Sequence, residues 1–148
     1  ERLPEFQEAQ RRLDQLRQEF EREAKDREAK LLKMQEDFDR QKLLLSEARK
    51  AELETQFQQK IKELQEYSQS KFGPEGELMR TNVELSAPIF EKINAALQKL
   101  ATDEGYDFIF DAGAAGTGLV YAAERYDVTE RLLERLEQDR EQAAKKAQ

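Results

Sequence analysis

The last third of the sequence contains two acidic residues that could do chemistry as a pair. Asp107 and Asp111 carry carboxylates, the groups that general acid–base catalysis often uses. They lie in residues 106–111, a stretch whose composition and alternation predict a β-strand. Residues four apart on a strand are separated by about 13 Å, which is too far for a shared proton or a glycosidase pair. We therefore interpret both aspartates as charges on the solvent face of a strand.

A glycine-rich stretch follows directly, Gly113-Ala114-Ala115-Gly116-Thr117-Gly118, and resembles a phosphate-binding loop. Its order, G-x-x-G-x-G, is the reverse of the dinucleotide-binding fingerprint, and no Lys-Ser or Lys-Thr pair follows it. The stretch also leads into a second predicted strand at residues 118–122, so no helix N-terminus faces it to hold an anion. We interpret it as a plain hairpin loop and predict no cofactor.

The composition excludes several further functions. The sequence contains no Cys and no His, which removes thiol catalysis, His-based acid–base chemistry and Cys/His metal sites. It has 25 basic and 32 acidic residues, a net charge of -7, which does not favour nucleic-acid binding by a basic face. No apolar run approaches the roughly 20 residues of a membrane span. We predict neither an enzyme, nor a metal site, nor an integral membrane segment.

Glycine and proline divide the chain into a predicted helical arm at residues 5–72 and a body at residues 73–138, followed by a polar tail at 139–148. Neither residue type occurs between Glu5 and Phe72. Apolar residues of the arm recur at steps of three and four, as in the narrow stripe of a coiled coil. Charged residues make up 39% of the chain, too many for a compact core of normal size. The sustained periodicity indicates long helices rather than disorder.

A helix this polar needs a partner for its apolar stripe. Leu43-Leu44-Leu45-Ser46-Glu47 is the predicted reversal, with a hairpin tip at 43–47, because three leucines interrupt the stripe and Ser46 can cap a helix that begins at Glu47. One uninterrupted helix of roughly 100 Å is the alternative. The larger apolar residues of the arm either fill the stripe or project outward as adaptable contacts for other proteins. The candidate contact residues are Met34, Phe38, Leu43, Leu44 and Leu45.

The body is predicted to contain a helix at 77–104, strands at 106–111 and 118–122, and a helix at 128–138 that Asp127 caps. The first helix has an apolar face too large for a two-stranded hairpin to cover alone. The body therefore needs helix packing, further strands or other subunits, and we predict that it drives oligomerisation. The candidate oligomerisation residues are Ile89, Ile93, Leu97, Leu100, Phe108, Phe110, Leu119 and Tyr121. The predicted fold class is thus α+β, mainly α, with a long antiparallel helical-hairpin arm on a small β-containing oligomerisation body.

Several of these segments resemble the Skp/OmpH family of periplasmic chaperones. The resemblance lies in the helix 77–104, then Gly105-Tyr106-Asp107-Phe108-Ile109-Phe110-Asp111, Gly118-Leu119-Val120-Tyr121-Ala122 and Asp127-Val128-Thr129. Ala87-Pro88-Ile89-Phe90-Glu91-Lys92-Ile93 and Leu45-Ser46-Glu47-Ala48-Arg49 also match, so the resemblance covers nearly the whole chain. It implies a periplasmic trimer whose β-rich bodies associate and whose arms surround a cavity. Unfolded outer-membrane proteins are then expected to be held in that cavity without ATP.

The sequence departs from this family in two respects. The resemblance implies a signal peptide and a short apolar strand ahead of Leu3-Pro4-Glu5-Phe6, which this sequence lacks, and we expect a trimmed chain without that edge strand. The best-known members are also basic, whereas this chain is acidic, so apolar contacts and confinement are expected to contribute more than charge. The alternative function is a structural coiled-coil spacer without client proteins.

Overall fold

The computed structural model describes residues 3–114, 116 and 118–146. Helices account for most of this part of the chain: α1 (Pro4–Gln41), α2 (Glu47–Phe72), α3 (Glu77–Glu104), a short 3-10 helix (Glu124–Tyr126) and α4 (Thr129–Lys146). They contribute to two compact units. The arm unit is Gln7–Leu85, and the body unit consists of the described residues of Glu1–Phe6 and Ser86–Gln148. None of the helices in the described chain is long and apolar enough to cross a membrane.

The predicted β-containing body is wrong. Residues 106–111 and 118–122 carry no strand in the described chain and run as irregular backbone with turns. Phe108 and Phe110 still face the same way, with ring centroids 6.2 Å apart, as residues two apart in extended backbone do. A strand, however, also requires a hydrogen-bonded neighbour, and a two-stranded hairpin is at best marginally stable in water. Ala115 and Thr117 of the glycine-rich loop lie outside the described residues.

The arm unit contains two long helices joined by a short reversal. α1 ends at Gln41, and Lys42 still donates its backbone N–H to the carbonyl oxygen of Phe38. Ser46 then takes an extended conformation, and its hydroxyl accepts a hydrogen bond from the N–H of Arg49 at 3.3 Å, which caps α2. The chain turns back at this point, so that Phe72 near the end of α2 packs edge-on against Phe20 of α1.

A tight turn at residues 73–76 separates α2 from α3. The N–H of Gly73 donates to the carbonyl oxygen of Gln69 at 2.9 Å and so closes α2. A Cβ atom at Gly73 would lie 2.4 Å from that same oxygen, so the close approach requires glycine. Lys71 forms an ion pair with Glu77 across the turn.

The body unit is built on the second part of α3 and on α4. α3 buries Ile89, Ala96 and Leu100. It ends at Glu104. The next residue, Gly105, has a φ of 74° in the left-handed region, and the N–H of Tyr106 bonds back to the carbonyl oxygen of Ala101 at 2.9 Å. This is the hydrogen-bond pattern of a Schellman helix end, which favours glycine at that position.

Ion pairs connect α4 to the end of α3. Arg131 donates to the hydroxyl of Tyr106 at 2.7 Å and forms an ion pair with Glu104. Arg135 bonds Asp103 at 2.8 Å, while Asp139 accepts from Lys99 at 3.1 Å. α4 therefore continues beyond Gln138 to Lys146, where the sequence predicted a fraying polar tail.

Candidate functional site

The two aspartates that could do chemistry, Asp107 and Asp111, do not form a catalytic pair in the structure. Asp111 accepts a hydrogen bond from the N–H of Gly113 at 2.8 Å, so its carboxylate stabilises a turn. Asp107 is exposed. We therefore sought the candidate site among the apolar surfaces.

A cleft of about 690 Å³ opens between α1 and α2 in the distal half of the arm unit, the half that includes the reversal. We call it the distal cleft. Its apolar lining consists of residues that are only half-buried: Met34, Phe38, Leu45, Leu53 and Phe57. Its polar rim includes four glutamines, which are Gln35, Gln41, Gln56 and Gln58. Three of the five contact residues predicted from the sequence, Met34, Phe38 and Leu45, thus lie together in this cleft.

The other two predicted contact residues lie at the reversal itself. Leu43 is 91% exposed and Leu44 is 89% exposed. Neither leucine is needed to close the arm, because Leu45 is the one of the three that lines the distal cleft. The reversal therefore presents two apolar side chains to solvent.

The proximal half of the arm unit, nearest the end of α2, is packed differently. Phe20 is 4% exposed and Tyr67 is 8% exposed. The guanidinium of Arg27 lies 4.3 Å from the centroid of the Tyr67 ring, and the ammonium of Lys71 lies 4.5 Å from that of Phe20. With the edge-on packing of Phe72 on Phe20, these contacts form what we call the proximal clasp.

Tyr67 carries the polar contact of the proximal clasp. Its hydroxyl lies 3.0 Å from a carboxylate oxygen of Glu23 and 3.4 Å from the carbonyl oxygen of Phe20. Burial and the hydrogen bond to Glu23 raise the pKa of Tyr67 to about 12. Hydrogen bonds from Arg27 and from Tyr67 lower the pKa of Glu23. The sequence analysis did not identify Tyr67, although it follows Leu64 by three positions and so lies on the same stripe of α2.

The eight residues predicted to mediate oligomerisation fall into two groups. Ile89 and Leu100 are buried within the body unit, and Ile93 and Leu97 are half-buried there. Those of the irregular segments are exposed, with Phe108 at 79% and Tyr121 at 81%. Phe110 and Leu119 are exposed as well. The helical group, by which we mean the four residues of α3, thus packs inside the body unit. The segment group, by which we mean Phe108, Phe110, Leu119 and Tyr121, offers an apolar surface.

The interior position of the helical group has a simple cause. A cleft of about 460 Å³ in the body unit is lined by Ile89 and Ile93 of α3 together with Leu133 and Leu136 of α4. Leu3 and Pro4 line it as well. The apolar face of α3 therefore lies against α4 and the start of α1.

Comparison with known proteins gives one family. The model of the family described as "Outer membrane protein (OmpH-like)" matches residues 1–136 of the chain. A comparison with curated proteins gave no match.

Proposed function

Because the chain belongs to the OmpH-like outer membrane protein family, we propose that it is a periplasmic chaperone that binds unfolded outer-membrane proteins and holds them without ATP. The observation that supports this function best is the apolar surface of the distal arm. Two fully exposed leucines, Leu43 and Leu44, lie beside a cleft of half-buried apolar side chains. Exposed apolar patches of this kind are typical of surfaces that bind other proteins.

The chemistry of the proposed clients fits such a surface. Strands of outer-membrane barrels alternate apolar and polar residues, so an unfolded client exposes many short apolar stretches. Contacts with single leucines and with a shallow cleft are individually weak, and a client can exchange among them. A holdase needs this property, since it has to keep a chain from aggregating without fixing one conformation.

We further propose that the chain acts as a homo-oligomer, in the form of a trimer whose arms enclose a cavity. The support is the exposed segment group of the body unit, represented by Phe108, Phe110 and Tyr121. Aromatic side chains bury large apolar areas and are enriched in the cores of protein interfaces. A second copy of the chain is the occupant that we propose for this surface.

The proposed function can be tested by light scattering. An unfolded outer-membrane protein is diluted from denaturant with and without the chain, in the absence of nucleotide, and aggregation is followed over time. We expect suppression at stoichiometric amounts of the chain. Replacement of Leu43 and Leu44 by serine should weaken the suppression. The control is Leu32→Ser, which removes an exposed leucine of α1 that does not line the distal cleft.

If the chain leaves aggregation unchanged, the holdase function is wrong, and the structural spacer becomes the better explanation. If suppression requires ATP, the ATP-independent mechanism is wrong. If the control variant loses as much suppression as the tip variant, the client contacts are spread along the arm and the proposed role of the tip fails.

A further inference from the structure

The two halves of the arm are held together by different forces. The proximal clasp combines buried aromatic rings with a hydrogen bond from Tyr67 to Glu23 on the other helix. Between residues 36 and 63 of the described chain, by contrast, each side-chain hydrogen bond or ion pair joins residues three or four apart. The distal halves of α1 and α2 are therefore joined by apolar contact alone.

That apolar contact is incomplete. In the described structure no side chain between Glu21 and Glu66 is buried, whereas Phe20 and Tyr67, on either side of that stretch, are. The distal cleft has a volume of about 690 Å³, several times that of a cavity of about 150 Å³ that holds a benzene molecule. It thus has room for more than one side chain of a bound molecule.

The rim of the distal cleft has the chemistry needed for a polypeptide backbone. Each of its four glutamine side chains offers both an N–H donor and a carbonyl acceptor. A backbone segment that leaves water needs partners for both its N–H and its C=O groups. Glutamine amides can supply both partners whatever the side chains of the segment are. The four glutamines are exposed, so their side chains can turn towards a bound segment. Gln56 donates to Glu52 at 3.3 Å on the surface of α2, and a bound segment would have to exchange that exposed hydrogen bond for its own.

The charges of the cleft restrict what can occupy it. Asp37, Asp39, Glu54 and Arg49 line it. Asp39 forms an ion pair with Lys42 and Arg49 forms one with Glu52, so the carboxylates of Asp37 and Glu54 make the rim negative. An acidic segment would meet this net negative rim unfavourably, whereas a neutral or basic segment would not. A second copy of the arm is a less suitable occupant, because the tip of each arm brings the same carboxylates.

We propose that the distal cleft is a binding site within a single arm for an extended, non-acidic segment of an unfolded client. Apolar side chains of the segment enter between α1 and α2, and the glutamines of the rim bond its backbone. This inference rests on the proposed holdase function and makes it more specific, since it places a client contact between the two helices of one arm, in addition to any cavity between arms.

Photo-crosslinking tests this placement. A benzophenone amino acid is introduced at Phe57, inside the cleft, and as a matched control at Thr55, which is exposed on the same helix and does not line the cleft. The full-length chain is mixed with an unfolded outer-membrane protein and irradiated. We expect several-fold more client cross-linked from position 57 than from position 55.

A second set of variants tests the role of the amides. Gln35, Gln56 and Gln58 are replaced together by methionine, which keeps the length of the side chain and removes its hydrogen-bonding groups. The matched control carries methionine at Gln10, Gln18 and Gln65, which are exposed and lie outside the cleft. We expect the cleft variant to bind the client several-fold more weakly than the control variant, with both retaining the helical circular dichroism of the parent.

The outcomes separate this inference from the function on which it rests. Equal cross-linking from both positions, with aggregation still suppressed, overturns the cleft and leaves the holdase intact. A cross-link from position 57 to a second copy of the chain overturns it as well, as does equal affinity of the two glutamine variants. If the parent chain does not protect the client and neither benzophenone variant cross-links to it, the holdase function fails, and the cleft proposal fails with it.

Discussion

The hydroxyl of Tyr67 on α2 donates a hydrogen bond to the carboxylate of Glu23 on α1, with 3.0 Å between the oxygens. This contact connects residues 44 positions apart in the sequence and fixes the register of the two helices at the proximal end of the arm. Because Tyr67 is only 8% exposed, its hydroxyl has little access to water that could replace that bond. The pair therefore offers a direct measure of how firmly the arm is closed.

Replacing Tyr67 by Phe should lower the free energy of unfolding by about 1 kcal/mol, since the ring stays and only the hydrogen bond is lost.

This loss of stability should depend on pH. The pKa of Tyr67 is raised from 10.0 to about 12, so folding favours the protonated phenol. Its contribution is present in full below pH 10 and is lost as the pH rises towards 12. Urea denaturation of parent and variant should show a difference that is constant at neutral pH and shrinks above pH 10. A difference in the free energy of unfolding that grows above pH 10 would contradict the raised pKa of Tyr67.

Ala96 should tolerate no increase in size. It is fully buried on α3, with 0% exposure, so Ala96→Leu should destabilise the body unit by about 1–3 kcal/mol through overpacking. The neighbouring Ala95 is exposed and provides the control. Ala95→Leu should change the thermal midpoint little, at the same protein concentration. Equal midpoints for the two variants would show that the interior of the body unit can expand around Ala96.

The cap of α2 can be tested by removal and replacement. Ser46→Ala deletes the hydroxyl that accepts from the N–H of Arg49, and should cost about 1 kcal/mol. Ser46→Asp restores an acceptor and should recover most of that loss. Amide exchange at the start of α2 should be faster in the alanine variant than in the parent and should return towards the parent rate in the aspartate variant. Failure of the aspartate to slow exchange would mean that the cap does not limit the opening of this end.

The exposed aromatic residues of the body unit should control the oligomeric state. Phe108→Ser combined with Phe110→Ser removes two stacked rings from the surface, and should shift the mass measured in native buffer from trimer towards monomer. The helical circular dichroism should not change, since neither residue lies in a helix. Phe90→Ser is the control, because Phe90 is an exposed aromatic residue of α3. A double variant that remains trimeric would place the interface elsewhere.

Client binding should survive moderate salt. Residues 1–72 contain 16 basic and 17 acidic residues, a net charge of -1, so long-range attraction to a client is weak, and salt screens mainly exposed charges. Apolar contact is not screened in that way. Titration of an unfolded outer-membrane protein at low and at moderate salt should give similar affinities. Loss of most of the affinity at moderate salt would show that capture is driven by charge.

The helical part of the molecule could be predicted from the sequence, because apolar residues such as Phe20 and Phe57 recur at helical spacing on segments without Gly or Pro. The predicted strands show where such reasoning fails. The residues around Phe108 alternate as in a strand, but a strand depends on a hydrogen-bonded partner that no local pattern specifies. The proximal clasp was missed for a related reason, since the contact of Arg27 with Tyr67 depends on the register between two helices.

The hydrogen bond from Arg131 to Tyr106 has a consequence for how this protein can change during evolution. It joins the end of α3 to the beginning of α4, and so turns residues 107–128 into a closed loop whose two ends are fixed. Lengthening a closed loop is inexpensive in chain entropy, since each doubling costs roughly 0.6 kcal/mol. Insertions and deletions in this segment can therefore occur without disturbing the packing of α3 on α4, but those next to Phe108, Phe110 or Tyr121 would alter the proposed oligomerisation surface. Homologues should keep a glycine at the position of Gly105.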